Sequence, residues 1–155
     1  MSHFPIQRRG WLAATLLAAF ATLFPVRGAE LNPAAISFKM PDQLKWTTSA
    51  SGSSNAVLVG DLDKPGLYIV LTKWSPNHMS RPHFHQNDRF ITVISGTWWV
   101  GTGTKYDPSL TKPMPAGSFV QHFGKQIHWD GAKDTECVLQ IVGMGPATST
   151  PAEQK

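Results

Sequence analysis

Residues 89–101 read Arg-Phe-Ile-Thr-Val-Ile-Ser-Gly-Thr-Trp-Trp-Val-Gly, a β-branched and aromatic run interrupted by Ser95-Gly96. Branching at Cβ disfavours helix, and Ser-Gly between two such runs is a turn signal, so the segment is expected to be a β-hairpin. His83-Phe84-His85 leads into it. Successive side chains of a strand point to opposite faces, so His83 and His85 project together, within reach of one ion. The strand context argues against a helical zinc-protease site. A third imidazole from another strand would close the set, and His128 is the candidate.

The remaining sequence has the same strand-and-turn character. Residues 56–61 and 67–74 are apolar runs separated by Asp63-Lys64-Pro65-Gly66, a turn signal. Residues 118–122, 127–130 and 136–144 are further strand candidates, and residues 101–115 read as a Pro-rich loop. The Ser-rich stretch 49–55 is expected to be a flexible loop. The small polar tail 146–155 is expected to fray. Short strands between Gly and Pro turns indicate an all-β sandwich or barrel in a single domain, residues 29–145. The one cysteine, Cys137, cannot form an intramolecular disulfide and is expected to pack as a small apolar strand residue. A catalytic thiol is the sharper alternative.

Residues 1–28 look like a signal peptide. Arg8-Arg9 precede a largely apolar stretch, residues 11–24, and small residues follow near Gly28. The stretch is short for a membrane span, although an uncleaved anchor remains an alternative. Gln7-Arg8-Arg9-Gly10-Trp11-Leu12 also fits a twin-arginine signal beside the general secretory route. The expected location is therefore periplasmic or secreted, with no stable membrane insertion after the signal is removed. The segment carries three of the 14 basic residues and none of the 10 acidic ones, so residues 29–155 have a net charge of only +1. With no basic run, nothing suggests a nucleic-acid partner.

At these histidines the chain resembles the cupin superfamily. The first cupin motif is matched by His83, His85 and Gly96, with Asn77 at its first glycine and Arg89 where the family has Glu. The second is matched by Gly117 and His128, with Phe123 for Pro, Lys125 for Gly and Ala132 for Asn. All spacings hold. The resemblance implies a single-domain cupin-like β-barrel, that is, a double-stranded β-helix or jelly roll. It also implies a site for one divalent transition metal on His83, His85 and His128. Ligand type does not choose among Zn, Fe, Mn, Ni and Cu.

Arg89 is the chemical anomaly. A guanidinium has no lone pair and stays charged, so it cannot replace a carboxylate ligand. It either turns away to pair with an acid such as Asp88, or stands at the pocket and clamps an anionic ligand. Asp88 could stand in for the Glu only if a bulge re-aimed it. His122 is a candidate fourth ligand or a pocket histidine, and His78 is expected to be solvated. Trp98 and Trp99 face opposite ways. Trp98 is assigned to the pocket as a substrate contact with Arg89, while Trp129 should face away from His128, and Trp46 and Trp74 should be core.

Two functions follow from the resemblance. One is a dioxygenase-like metal-dependent oxidoreductase acting on a small anionic or aromatic molecule. The other is a non-catalytic module that binds metal or a small ligand; a metal-free fold is a third reading. Cupins are often dimers, and a strand edge near residues 36–46 is the expected homodimer contact.

Overall fold

The computed structural model describes residues 28–154; the signal-peptide assignment falls almost wholly on residues outside this range. The chain divides into two units at Ser37. In the first, residues 28–37 form an exposed turn in which the Asn32 backbone carbonyl accepts from Ala35 N and Ile36 N, and its Oδ1 accepts from Ala34 N.

The second unit is built almost entirely of strands. In chain order they are β1 (Thr47–Thr48), β2 (Ser53–Val59), β3 (Gly66–Trp74), β4 (His78–Met79), β5 (His83–Phe84), β6 (Arg89–Ser95), β7 (Thr97–Thr102), β8 (Lys112–Pro115), β9 (Phe119–His122), β10 (His128–Ala132), β11 (Cys137–Gly145) and β12 (Thr150–Pro151). They form two antiparallel sheets, ordered β1-β2-β3-β11-β6-β9 and β12-β5-β10-β7-β8, with β4 also paired to β10. Among the described residues no helix is long and apolar enough to cross a membrane.

Alternation sets the core. Tyr68, Val70, Thr72 and Trp74 of β3, Ile91 and Val93 of β6, and Cys137, Leu139 and Ile141 of β11 are all buried. Burial lifts the Cys137 thiol to about 12, which suits packing rather than nucleophilic chemistry. The hairpin expected at Ser95-Gly96 does not form: β6 pairs with β11 and β9 and β7 with β10 and β8, so the turn carries the chain from one sheet to the other, with Gly96 at φ +73°. A Cβ there would lie 2.2 Å from the Glu136 carbonyl oxygen, so only glycine fits.

Two motif departures keep the backbone of the glycines they replace. Asn77 has φ +61° and Lys125 φ +63°. Asn tolerates the left-handed region, whereas for Lys it costs about 1–2 kcal/mol. The turns survive the substitutions because their hydrogen bonds hold: Asn77 N donates to Lys133 O (2.6 Å) and Lys125 N to His85 O (2.7 Å).

Further expectations are corrected. The Ser-rich stretch is not a free loop, because Ser53, Ser54 and Asn55 begin β2 and pair with Trp74, Lys73 and Thr72. Hydroxyls bonded to one another (Ser49 to Ser53, Thr48 to Ser54) tie the stretch down. The Pro-rich loop contains β8, an edge strand, where prolines are tolerated. The tail does not fray: Thr150 and Pro151 pair with Phe84 and His83. Finally, residues 36–46 form no strand; they contain a short 3-10 turn, Pro41–Gln43, and the sheet edge begins only at Thr47. Trp46 is only partly buried and lies beneath the Lys73 ammonium, whereas Trp74 is core.

Candidate metal centre

The three histidines come from two neighbouring strands. His83 in β5 stands opposite His128 in β10. His85 follows two residues after His83, just past the end of β5. The Nε2 atoms of His83 and His85 are 3.2 Å apart, and the ring centroids of all three lie within 5.2 Å of one another. Two nitrogens bound to one ion at ~2.1 Å would themselves stand about 3–3.4 Å apart, so this spacing suits shared ligation.

Each imidazole is oriented through its other nitrogen. Nδ1 of His83 bonds to Arg81 O (2.8 Å), Nδ1 of His128 to Gln126 O (3.0 Å), and Nδ1 of His85 to Thr148 O (2.7 Å). A carbonyl only accepts, so each Nδ1 carries the proton and each neutral ring presents a bare Nε2 lone pair. Anchoring of this kind is what holds metal-bound histidines in place. His83, His85 and His128 thus form a set that can hold a metal ion.

Burial and nearby charge disfavour the protonated form of His85, His128 and His122. His85 is lowered to about 3, first by burial and then by the Arg89 charge. His128 is lowered by burial against the opposing pull of Asp130. His122 falls to about 2, again by burial first and then by His128 and Arg89. Neutral imidazole is the ligating form, so at neutral pH no proton competes for these sites.

Arg89 is the part of the site that does not suit a metal. It opens β6, and its Nη1 donates to His85 Nε2, the lone pair an ion would use. Its Nε is buried without a partner among the described residues, as are His128 Nε2 and both ring nitrogens of His122. Arg89 has therefore not turned away to pair with Asp88. Asp88 is instead occupied outside the site, accepting from Gln121 Nε2 and Gly124 N, and does not approach the histidines.

His122 stands opposite Arg89 across β9 and β6, its ring centroid 3.8 Å from that of His128. With His128 and Asp130 it forms a second group of metal-ligating type. His128 has only one free lone pair, so the two groups are alternatives. Asp130 also accepts from Trp98 Nε1 (3.1 Å). Trp98 is fully buried, stacks at 5.4 Å from His122 and lines the cavity. Trp129 packs away from the site against Tyr106. His78 is exposed and remote from the cluster.

His83, His85, Arg89, Trp98, His122 and Asp130 line one cavity of about 410 Å³ within the barrel. Sequence reasoning missed two contributors. The first is Tyr68, which pairs with Gly143 on β11; Gly143 in turn pairs with Arg89. A Cβ on Gly143 would lie 2.5 Å from the Tyr68 hydroxyl, so the ring lies across the glycine toward Arg89. The second is the Thr148 carbonyl, supplied by the tail. Neither leaves a local signal, because each depends on which strands become neighbours.

No protein-family model matches the sequence, and no curated protein matches it. Solved structures do match. A polyketide cyclase from Streptomyces resistomycificus superposes with TM-score 0.63 at 16% identity, covering 77% of this chain and 87% of that one. An RmlC-like cupin from Shewanella frigidimarina gives 0.57 at 17%, covering 71% and 90%. A double-stranded beta-helix protein from Klebsiella pneumoniae gives 0.53 at 20%, covering 70% and 90%. At such identities the likeness concerns architecture. The two antiparallel sheets give this chain the double-stranded β-helix fold of those cupin structures, with three histidines brought together inside it.

Proposed function

We propose that this is an exported cupin that binds one divalent transition metal through His83, His85 and His128 and receives a small anionic ligand beside it. The observation that carries the reading is the set of three Nε2 lone pairs, each aligned by an Nδ1 bond to a carbonyl. The metal would supply Lewis acidity and, if redox-active, electron transfer of the kind a dioxygenase-like oxidoreductase uses.

The chain's own residues do the rest. With His85 Nε2 given over to a metal, the Arg89 guanidinium would be free to hold a carboxylate or similar anion in the cavity. Tyr68, reaching across Gly143, adds a hydroxyl donor on the same side. Trp98 and the apolar wall, Ile91, Leu139 and Ile141, exclude water and favour a ligand with an aromatic or aliphatic body. A polyketide cyclase among the structural matches is compatible with such a body. The Arg89–His85 contact supports a second reading, a binding module without turnover, because a resting cation on a ligand atom disfavours tight metal.

Single Ala substitutions at His83, His85 and His128 test the metal site. Each should remove most bound metal and leave the strand signal of circular dichroism intact, whereas His78→Ala should change neither. Full stoichiometry in all three variants refutes the assignment. Oxygen uptake by iron-loaded protein separates the enzyme from the module. Export is tested by sequencing the mature N-terminus, expected near Ala29 or Glu30; a start at Met1 rejects it. Replacing Arg8 and Arg9 together by Lys should stop twin-arginine export but not general secretion.

A further inference from the structure

The two ends of the metal-ligand set are held differently. His83 and His128 donate their Nδ1 protons to carbonyls only two residues earlier, Arg81 and Gln126. Those bonds form with the strands that carry the rings. His85 instead donates to Thr148, 63 residues later, in the C-terminal segment. His85 is also the imidazole whose Nε2 Arg89 contests.

That segment is docked along its length. Ala147 N donates to Leu62 O (2.7 Å), Ala152 N to Pro82 O (2.9 Å) and Gln154 N to Thr104 O (3.0 Å). Between them β12 pairs with β5, placing Pro151 opposite His83. Glu153 receives both Nε and Nη2 of Arg81, whose guanidinium lies 3.8 Å over the Tyr106 ring. Ala147, Ser149 and Pro151 line the cavity. The residues are small and polar, so hydrogen bonds and one ion pair hold the strap, with little apolar burial.

We propose that residues 147–154 are a positioning strap: they fix His85 through the Thr148 carbonyl, brace β5 behind His83 and close one wall of the cavity. The inference rests on the three-histidine reading for its consequence in metal binding, but not for its geometry. Removing an outer partner of a metal-bound histidine typically weakens metal binding about 10- to 100-fold, and undocking the strap should do the same here.

The test uses the full chain with Ala152→Pro, which removes the donor to Pro82, combined with Glu153→Lys, which sets two cations face to face. Glu136→Lys is the control, because Glu136 pairs with Lys73 away from the strap. In metal-free, 15N-labelled protein, the His85 Nδ1–H resonance should be protected from solvent exchange in the parent and control, and lost or at least ~10-fold faster in exchange in the double variant. Zinc affinity by chelator competition should fall ~10- to 100-fold in the double variant only. A general loss of stability would not single out the His85 proton while sparing that of His128. If the double variant unfolds, each substitution alone should give the same changes at smaller size. An unchanged His85 signal with unchanged zinc affinity overturns the proposal. If the signal changes but neither parent nor variant binds zinc, the metal reading fails and the positioning role stands.

Discussion

Arg89 offers the most direct test of how this site works. Its Nη1 donates to His85 Nε2, and its Nε has no partner among the described residues. An ion can use that lone pair only after the bond is broken. A hydrogen bond involving a charged group is worth about 1.5–3 kcal/mol. Arg89→Met keeps the stem and removes the donor, so divalent metal should bind about 10- to 150-fold more tightly, taking tenfold per ~1.4 kcal/mol. Loss of a nearby positive charge acts in the same direction and is partly screened, because Arg89 is only partly buried. Arg89→Glu should gain more, because it also supplies an oxygen ligand. The assay is zinc competition against a chromophoric chelator at neutral pH, at low and high salt. The repulsive share of the gain should shrink with salt, and the hydrogen-bond share should persist. Both variants should lose affinity for small carboxylates if Arg89 is the clamp. Equal zinc affinity in the parent, Met and Glu proteins would falsify the reasoning, and the clamp would go with it.

Three further outcomes are expected. His85 (about 3) and His122 (about 2) lie below the unfolded value of ~6.5, so the unfolded chain takes up protons that the metal-free fold refuses. The stability they contribute is present above pH ~6.5 and is lost as pH falls toward those values, about 4 kcal/mol for the pair between pH 7 and 5; urea unfolding that is flat over that range would contradict the assignment. Lys125→Gly relieves a left-handed lysine, offset by glycine's greater freedom when unfolded, and should raise stability by roughly 0.5–1 kcal/mol in denaturant melts; a loss of stability would show that φ is not strained. His122→Phe replaces a buried ring whose nitrogens lack partners and should stabilise the metal-free protein by about 1–3 kcal/mol with zinc stoichiometry unchanged, whereas a drop in stoichiometry would identify His122 as a ligand.

What was legible in the sequence was what local chemistry dictates. The β-branched runs on either side of Ser95-Gly96 marked two strands and a turn, though not that the strands enter different sheets, and alternation put His83 and His85 on one side. The spacing to His128 identified the third ring. Even the departures were readable in part: Asn77 and Lys125 stand where glycine is expected, and both hold positive φ. Composition misled where polar residues were read as free chain. The serines of residues 49–55 and the tail bury little apolar surface, yet both are fixed, because their hydrogen-bond partners lie on strands distant in sequence.

The sequence by itself determined the strand character, the turns and the three imidazoles, since each depends on a residue's own branching, ring or missing side chain. Only the tertiary structure decided where Arg89 points, that Tyr68 leans across Gly143, and that Thr148 orients His85. Those relations join residues 4, 75 and 63 positions apart. Pairing between strands, rather than periodicity within one, creates such neighbours, and closure of the two sheets into a barrel turns three ordinary histidines into a site.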